Sequence, residues 1–491
     1  MINRSLTILA LAVLGLFFAD LEISALEPWT ELGRMLQGAL SPDLLSLEVV
    51  GRALFNTLAF ALVGTFLGGL AGGLLAFFHH LRLVRYSCAF VRSIHELFWA
   101  FLLMPILGLN SVCGVLAIAI PYAGIFAKVY AEILEEADPR PLLAIPKATD
   151  PLSRFFYGYL PGLFKELKHY TSYRFECALR SSAILGFIGL PTLGYHLETW
   201  LREGQYGQAF TLIYIFYGLI FSIRAWARPR WILFWVAGAF WGISKEISFS
   251  LENTTRFFSY EILPWPVRQG EGIGELGSWF YHLLTHQVFE GTLNTLILTQ
   301  VSLALSGILA LGWFPLASKT FVGPRGWFGG HFVLVVLRST PEYLLAYICI
   351  HLFGPSMLPA IIALSVHNGG ILAHLSSLNA DQIKPDLSGA AKPANRYFYE
   401  VLPRIYGQFL AFLLYRWEVI FRESAILGIL GVYSLGFFID SAIAADHLDE
   451  AFALIVLSGL FNILIDRASQ FFRKGFAPGA GINPPHSLAL D

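Results

Sequence analysis

Apolar runs separated by short charged stretches recur from one end of the chain to the other. A hydrocarbon core about 30 Å thick needs ~20 mostly apolar residues per helix. Such runs stand near 5–21, 53–78, 93–109, 111–130, 159–190 and 209–224. A second series follows near 231–249, 292–316, 332–353, 356–374, 402–436 and 451–466. The expected fold class is an all-α polytopic membrane protein of about 12 transmembrane helices. The first run follows Arg4 and reads either as a signal peptide, with Ile23-Ser24-Ala25 as a poor cleavage site, or as a retained helix, which is favoured because it gives the chain an even topology.

The charged stretches between the runs alternate in sign. Arg82, Arg85 and Arg92 stand in one without an acid, and Arg224, Arg228 and Arg230 in another. Lys319 and Arg325 mark a third, and Arg467, Arg473 and Lys474 the tail. The intervening loops lean acidic, with Asp440, Asp446, Asp449 and Glu450 in one. In the other, Glu252, Glu261, Glu271, Glu275 and Glu290 outnumber Arg256 and Arg268. Loops rich in Lys and Arg stay on the cytoplasmic side, so the alternation predicts a multi-pass membrane protein with both termini cytoplasmic.

Composition excludes the soluble classes. Of 491 residues, 56% are apolar and 14% charged, with mean hydropathy +0.62; a soluble domain averages about 25% charged. The net charge of −1 leaves no basic footprint for nucleic acid. The cysteines Cys88, Cys113, Cys177 and Cys349 lie within or beside apolar runs and form neither a disulfide framework nor a metal pattern.

The chain also repeats itself. At an offset of 242, residues 156–194 match 398–436 at 16 of 39 positions. Leu160-Pro161 recurs as Leu402-Pro403, Tyr173-Arg174 as Tyr415-Arg416, and Ser182–Gly186 as Ser424–Gly428. Glu176, Arg180, Gly189 and Gly194 have copies at Glu418, Arg422, Gly431 and Gly436. Asn56-Thr57-Leu58 is echoed at 294–296, and Arg92-Ser93-x-x-Glu96 at Arg338-Ser339-x-x-Glu342. Six spans per copy bring both copies into the bilayer the same way up, as a parallel repeat. The expected division is 1–228 and 229–491.

Each copy has one long segment on the cytoplasmic side, 131–158 and 374–401, just before its fifth span. Asp138-Pro139, Pro141, Pro146 and Asp150-Pro151 punctuate the first; Pro385-Asp386, Gly389 and Pro393 punctuate the second. Proline-broken short helices suit a structure lying on the membrane face, either a docking surface or a solvated loop. Within the spans, Glu176/Arg180, Glu418/Arg422, Arg92/Glu96 and Arg338/Glu342 are spaced i,i+4. Ionisable groups at the bilayer centre cost about 2.5–3.5 kcal/mol or more each, so they face protein or water. Two readings stand: Arg174, Arg180, Arg416 and Arg422 line an anion pathway, or the pairs pin the fifth span. Gly64, Gly68 and Gly72 at i, i+4, i+8 predict close helix packing, and Gly186, Gly189 and Gly194 a bend. Residues 251–290, with Trp265, Trp279, Phe280 and Tyr281, read as an interfacial aromatic belt. His79, His80, His367 and His374 show no metal spacing. There is no G-x-x-x-x-G-K-[ST] phosphate loop, nucleophile elbow or HExxH.

One stretch resembles a known family. Ala131-Glu132-x-x-Glu135-x-x-Asp138-Pro139, Leu160-Pro161, Tyr173-Arg174-x-Glu176-x-x-x-Arg180-Ser181-Ser182-Ala183-x-Leu185-Gly186 and Tyr206-Gly207-Gln208-Ala209 together resemble the permease of phosphonate-type ABC importers. The resemblance covers most of 50–225 and, more loosely, 290–470, so the chain looks like two permease units fused. Ala148 and Ala390 depart from the loop glycine of that family. The resemblance implies the type I importer fold and a permease without covalent chemistry or a cofactor of its own. ATP and Mg would be bound by two cytoplasmic ABC ATPase subunits, and an extracytoplasmic solute-binding protein would deliver phosphonate, phosphate or phosphite. Glu132, Glu135, Asp138, Pro139, Asp386 and Gly389 would then belong to the loops that meet the ATPase. A secondary transporter with two six-helix halves is the rival reading.

Overall fold

The fold, taken from a computed structural model, is described for residues 2–43, 47–138, 140–146, 149–227, 229–243, 250–383 and 392–473. All regular structure among the described residues is helical. Among the described residues, six helices are long and apolar enough to cross a membrane, and up to nine if each of three bent pairs counts as one span. The expected all-helical membrane fold is present, and the expected number of about 12 spans is not matched exactly by length and composition alone. Ile2–Phe18 and Pro229–Ile243 are short, and Leu402–Leu427 carries Arg416, Glu418, Arg422 and Glu423 along its length.

The bent pairs replace three of the expected spans. The run read as 93–109 is the second limb of Arg82–Ser93 and Glu96–Leu107, which meet at 93°. Lys319–Ser339 and Glu342–Phe353 repeat the arrangement at 86°. At the first break, the Nδ1 atom of His95 accepts the Leu97 amide at 3.1 Å and caps the new helix. At the second, Pro341 holds the cap position before Glu342, where its missing N–H costs nothing. The third bend, 52°, separates 155–188 from Leu193–Arg202 and falls at the predicted Gly189 and Gly194.

The contacts gather the helices into two compact units. One is Gln37–Phe257; the other joins Met1–Leu36 to Phe258–Ile482. Helix Pro229–Ile243 packs on Leu47–Phe77 within the first unit, and Ile2–Phe18 packs on Phe289–Trp313 within the second. Pro229–Ile243 thus stays with the unit that precedes it in the chain, whereas Ile2–Phe18 packs in the unit that lies later in the chain. Apolar periodicity marks such a helix as lipid-compatible and says nothing about which groove it fills.

The Gly64/Gly68/Gly72 stripe seats helix Ser111–Glu135 in the first unit. A Cβ on Gly64 would lie 2.9 Å from Ile118 Cβ, and one on Gly68 2.7 Å from Tyr122 Cβ. Small residues let the backbones approach closely, as predicted. A further shared feature precedes each Leu-Pro. Pro161 and Pro403 lack the N–H that an α-helix requires, and the preceding turns are wider π turns at Phe155–Tyr159 and Arg396–Val401. There the Leu160 amide bonds Phe155 O and the Leu402 amide bonds Tyr397 O, each reaching back five residues.

Candidate functional site

Two kinds of site follow from the repeats: the segments that precede Leu-Pro, and the charges within the fifth spans. In the first segment, Glu132 lies 3.9 Å from Lys128, one turn back on the same helix. Glu135 lines a cavity of about 480 Å³ together with His79, His80, Arg154, Phe155 and Tyr159. Burial, and then Arg85, hold the His79 imidazole below its ordinary range, while Glu135 opposes them. Asp138 is exposed and accepts two hydrogen bonds from Arg140 Nε, at 3.0 and 2.7 Å. Those bonds keep its carboxyl below the usual carboxylate range. Pro139 of this segment lies outside the described residues, as do Asp386 and Gly389 of the second.

The second segment carries a residue that the sequence reading missed. The Asp381 carboxylate accepts Ser318 Oγ at 2.6 Å and the Lys319 and Thr320 amides at 3.2 Å each. It thereby caps helix Lys319–Ser339 from a distance, where an anion is favoured. Arg396 Nη1 donates to Thr320 O at 3.3 Å and ties the stretch before Leu-Pro to the same corner. Asp381 ends a helix in an unremarkable Ala-Asp-Gln context, so no local motif announces the role.

Inside the spans, helix breaks change the expected pairing geometry. Arg92 and Glu96 lie on different limbs of the 93° bend, and Arg338 and Glu342 on those of the 86° bend. Each of these i,i+4 spacings therefore bridges two limbs of a bend rather than one continuous helix face. His95 Nε2 stands 3.2 Å from Glu96 Oε2, and His367 Nε2 3.8 Å from Glu342 Oε2. Arg416 meets Glu423, seven residues on, at 3.5 Å, and its Nε donates to Asn368 Oδ1 at 2.6 Å. Glu418 is buried on the same helix, and Arg422 is part-buried. In the first copy, Arg174 Nε donates to the Tyr170 hydroxyl at 2.9 Å. Arg180 reaches Cys177 Sγ at 3.4 Å, and Glu176 is part-buried. The structure thus brings Arg174 against Tyr122 of helix Ser111–Glu135 and Arg416 against Asn368 of helix Met357–Gln382. Glu342, His367 and Glu423 offer ligand atoms within 4.8 Å of one another, with the guanidinium of Arg416 against the third.

Duplicated bent helices, a proline-punctuated segment ahead of Leu-Pro and buried charge in the following span define a transport protein built from two permease units. The comparisons agree. Residues 321–477 match the family described as binding-protein-dependent transport system inner membrane component. The phosphate-import permease protein PhnE of Mycolicibacterium smegmatis is 24% identical over 476 residues, covering 90% of this chain and 88% of that one. A putative cryptic phosphonate transport system permease protein, PhnE2 of Escherichia coli, is 33% identical over 100 residues, 20% of this chain and 81% of that protein. The putative phosphite transport system permease protein HtxE of Stutzerimonas stutzeri is 30% identical over 152 residues, 30% of this chain and 58% of that one. No solved structure matches the chain. The chain belongs to the binding-protein-dependent transport permeases and is an inner membrane component of an ABC importer.

Proposed function

We propose that this permease imports a phosphorus oxyanion, namely phosphate, phosphite or a phosphonate, with both repeat copies supplied by one chain. The observation that carries the reading is the match over 90% of the chain to a permease named for phosphate import, in which both copies take part. Relatives named for phosphite and phosphonate support the wider class. Two cytoplasmic ATPase subunits, one for each copy, bind ATP and Mg and perform the hydrolysis; the chain itself holds no cofactor. An extracytoplasmic solute-binding protein delivers the anion, and both termini lie in the cytoplasm.

The segments 131–158 and 374–401 meet the ATPase subunits, with Glu132, Glu135, Asp138 and Pro139 in the first and Asp386 and Gly389 in the second. Each segment feeds a π turn into Leu-Pro and then into the charged fifth span, so a push on the segment is transmitted to the buried arginines. Among the intramembrane charges, Glu96, Glu176, Glu342 and Glu418 serve with Arg92, Arg180, Arg338 and Arg422 to hold the spans in place. Proteoliposomes containing the chain, its ATPase subunits and its binding protein test the function. ATP-dependent uptake of at least one of labelled phosphate, phosphite or methylphosphonate is expected. Uptake of none of them by an assembled complex overturns the substrate reading.

A further inference from the structure

The two copies place an arginine at matching positions and surround it differently. Arg416 donates through Nε, and through Nη2, to Asn368 Oδ1, and its Nη2 lies 3.5 Å from Glu423 Oε1. Asn368 Nδ2 in turn donates to Glu423 Oε2 at 3.3 Å. Charge and hydrogen bonds at Arg416 are met within its own unit. The register of 242 places Arg174 opposite Arg416 and Ser181 opposite Glu423. Tyr122 corresponds to Asn368: two residues beyond each stands a glycine, Gly124 and Gly370, whose Cβ would lie 3.4 Å from the backbone nitrogen of Arg92 and Arg338 respectively.

Arg174 therefore has neither the carboxylate nor the amide. The rings of Tyr122, Tyr170 and Tyr173 surround its guanidinium at 5.8, 5.5 and 5.7 Å. Its Nε is taken by Tyr170, and its terminal nitrogens bond no described residue. Tyr122 is fully buried, while Arg174 remains part-exposed in the middle of a broken span. Ring faces stabilise a cation but leave its N–H donors open. A planar fork of N–H groups without an acceptor is suited to two oxygens of a tetrahedral oxyanion.

Resting on the substrate reading above, we propose that Arg174 in its tyrosine cage is a transit site for the phosphorus oxyanion, and that Arg416, occupied by Glu423, is not. The two copies are thus unequal: one handles the anion and the other is internally neutralised. Ser181, in place of a glutamate, is what leaves the first arginine open.

The test uses the proteoliposome complex with phosphate, phosphite and methylphosphonate as probes. Arg174→Gln should lower uptake about tenfold or more, the loss of a charge-assisted contact. Ser181→Glu should do the same by reproducing the carboxylate of the second copy. Co-elution of each variant with the ATPase subunits as a single species shows that it is folded. Wild-type uptake by either folded variant overturns the assignment. The unaltered complex supplies a second measurement, in which arginine modification by phenylglyoxal is mapped by mass spectrometry. Saturating phosphate or phosphite should protect Arg174 several-fold and leave Arg416 unchanged; equal modification of Arg174 with and without the anion overturns the proposal. Failure of the substrate reading is seen separately, as a wild-type complex that imports none of the three probes, and it removes this inference as well.

Discussion

Thr57 Oγ1 accepts the backbone N–H of Leu193 at 2.9 Å, joining residues 136 apart in sequence. The second copy repeats the bond: Thr295 Oγ1 accepts the Leu435 amide, also at 2.9 Å. Each hydroxyl donates to its own helix, to Ala53 O or Gly291 O. The Asn-Thr-Leu echo is therefore a clamp that holds the first turn of the helix following the bend. Replacing Thr57 or Thr295 with Val keeps the shape and orphans a buried amide, at about 1–3 kcal/mol. Thermal melting of the purified variants in detergent should show each less stable than wild type; unchanged melting of both would remove the clamp.

The same bend depends on glycine. A Cβ on Gly194 would fall on the carbonyl oxygen of Ala183, and one on Gly436 on that of Ala425. Both contacts are with backbone, which cannot swing aside. Gly194→Ala and Gly436→Ala should each reduce the yield of folded, monodisperse protein sharply, whereas Gly162→Ala, where a Cβ meets open space, should not.

Asp449 ties the aromatic segment to the last long helix. Its Oδ2 accepts the Trp265 amide at 2.8 Å and stands 3.1 Å from Arg268 Nη2. Arg268 in turn lies 5.5 Å from the ring of Tyr260. Removing one partner from a buried ion pair costs about 3–5 kcal/mol, so Asp449→Ala should lower the melting temperature more than Arg34→Ala, whose ion pair with Glu31 is exposed. Equal shifts would show that the Asp449 contact contributes little.

His79 gives the cavity beside the first segment a pH dependence of known sign. Its folded pKa lies below the ordinary 6.5 because burial, then Arg85, disfavours the cation. The neutral form stabilises the fold fully above about 6.5. As pH falls below that value, the unfolded chain takes up the proton first and stability declines until the folded pKa is passed. His79→Gln should flatten the part of the melting-temperature profile between pH 7.5 and the acid limb. An unchanged profile would show that another group carries the acid sensitivity.

Much of this architecture was legible in the residues. Apolar runs located the membrane-spanning helices, and the shared Leu-Pro and Tyr-Arg positions exposed the duplication, because both signals are local in sequence. The breaks at 93–96 and 339–342 were hidden inside apolar runs, since the cap at His95 and the turn at Pro341 do not interrupt hydrophobicity. The pairing of Arg416 with Glu423 was missed because i,i+4 spacing favoured Arg422 as the partner of Glu418, whereas burial against Asn368 turned Arg416 along the helix. The packing of Ile2–Phe18 on Phe289–Trp313 is a long-range choice that its composition does not encode. The cage around Arg174 draws Tyr122 from another helix, so the repeat register alone suggested equality where the structure shows a difference.

Solute uptake into proteoliposomes, measured with ATP supplied to the ATPase side or with an ion gradient alone, separates a motor-driven permease from a gradient-driven carrier. Uptake should require the ATPase subunits together with ATP, and should be absent when only a gradient is imposed on the chain by itself. Accumulation by the isolated chain in ATP-free, energised vesicles would contradict the division between a membrane component that moves the anion and separate subunits that hydrolyse ATP.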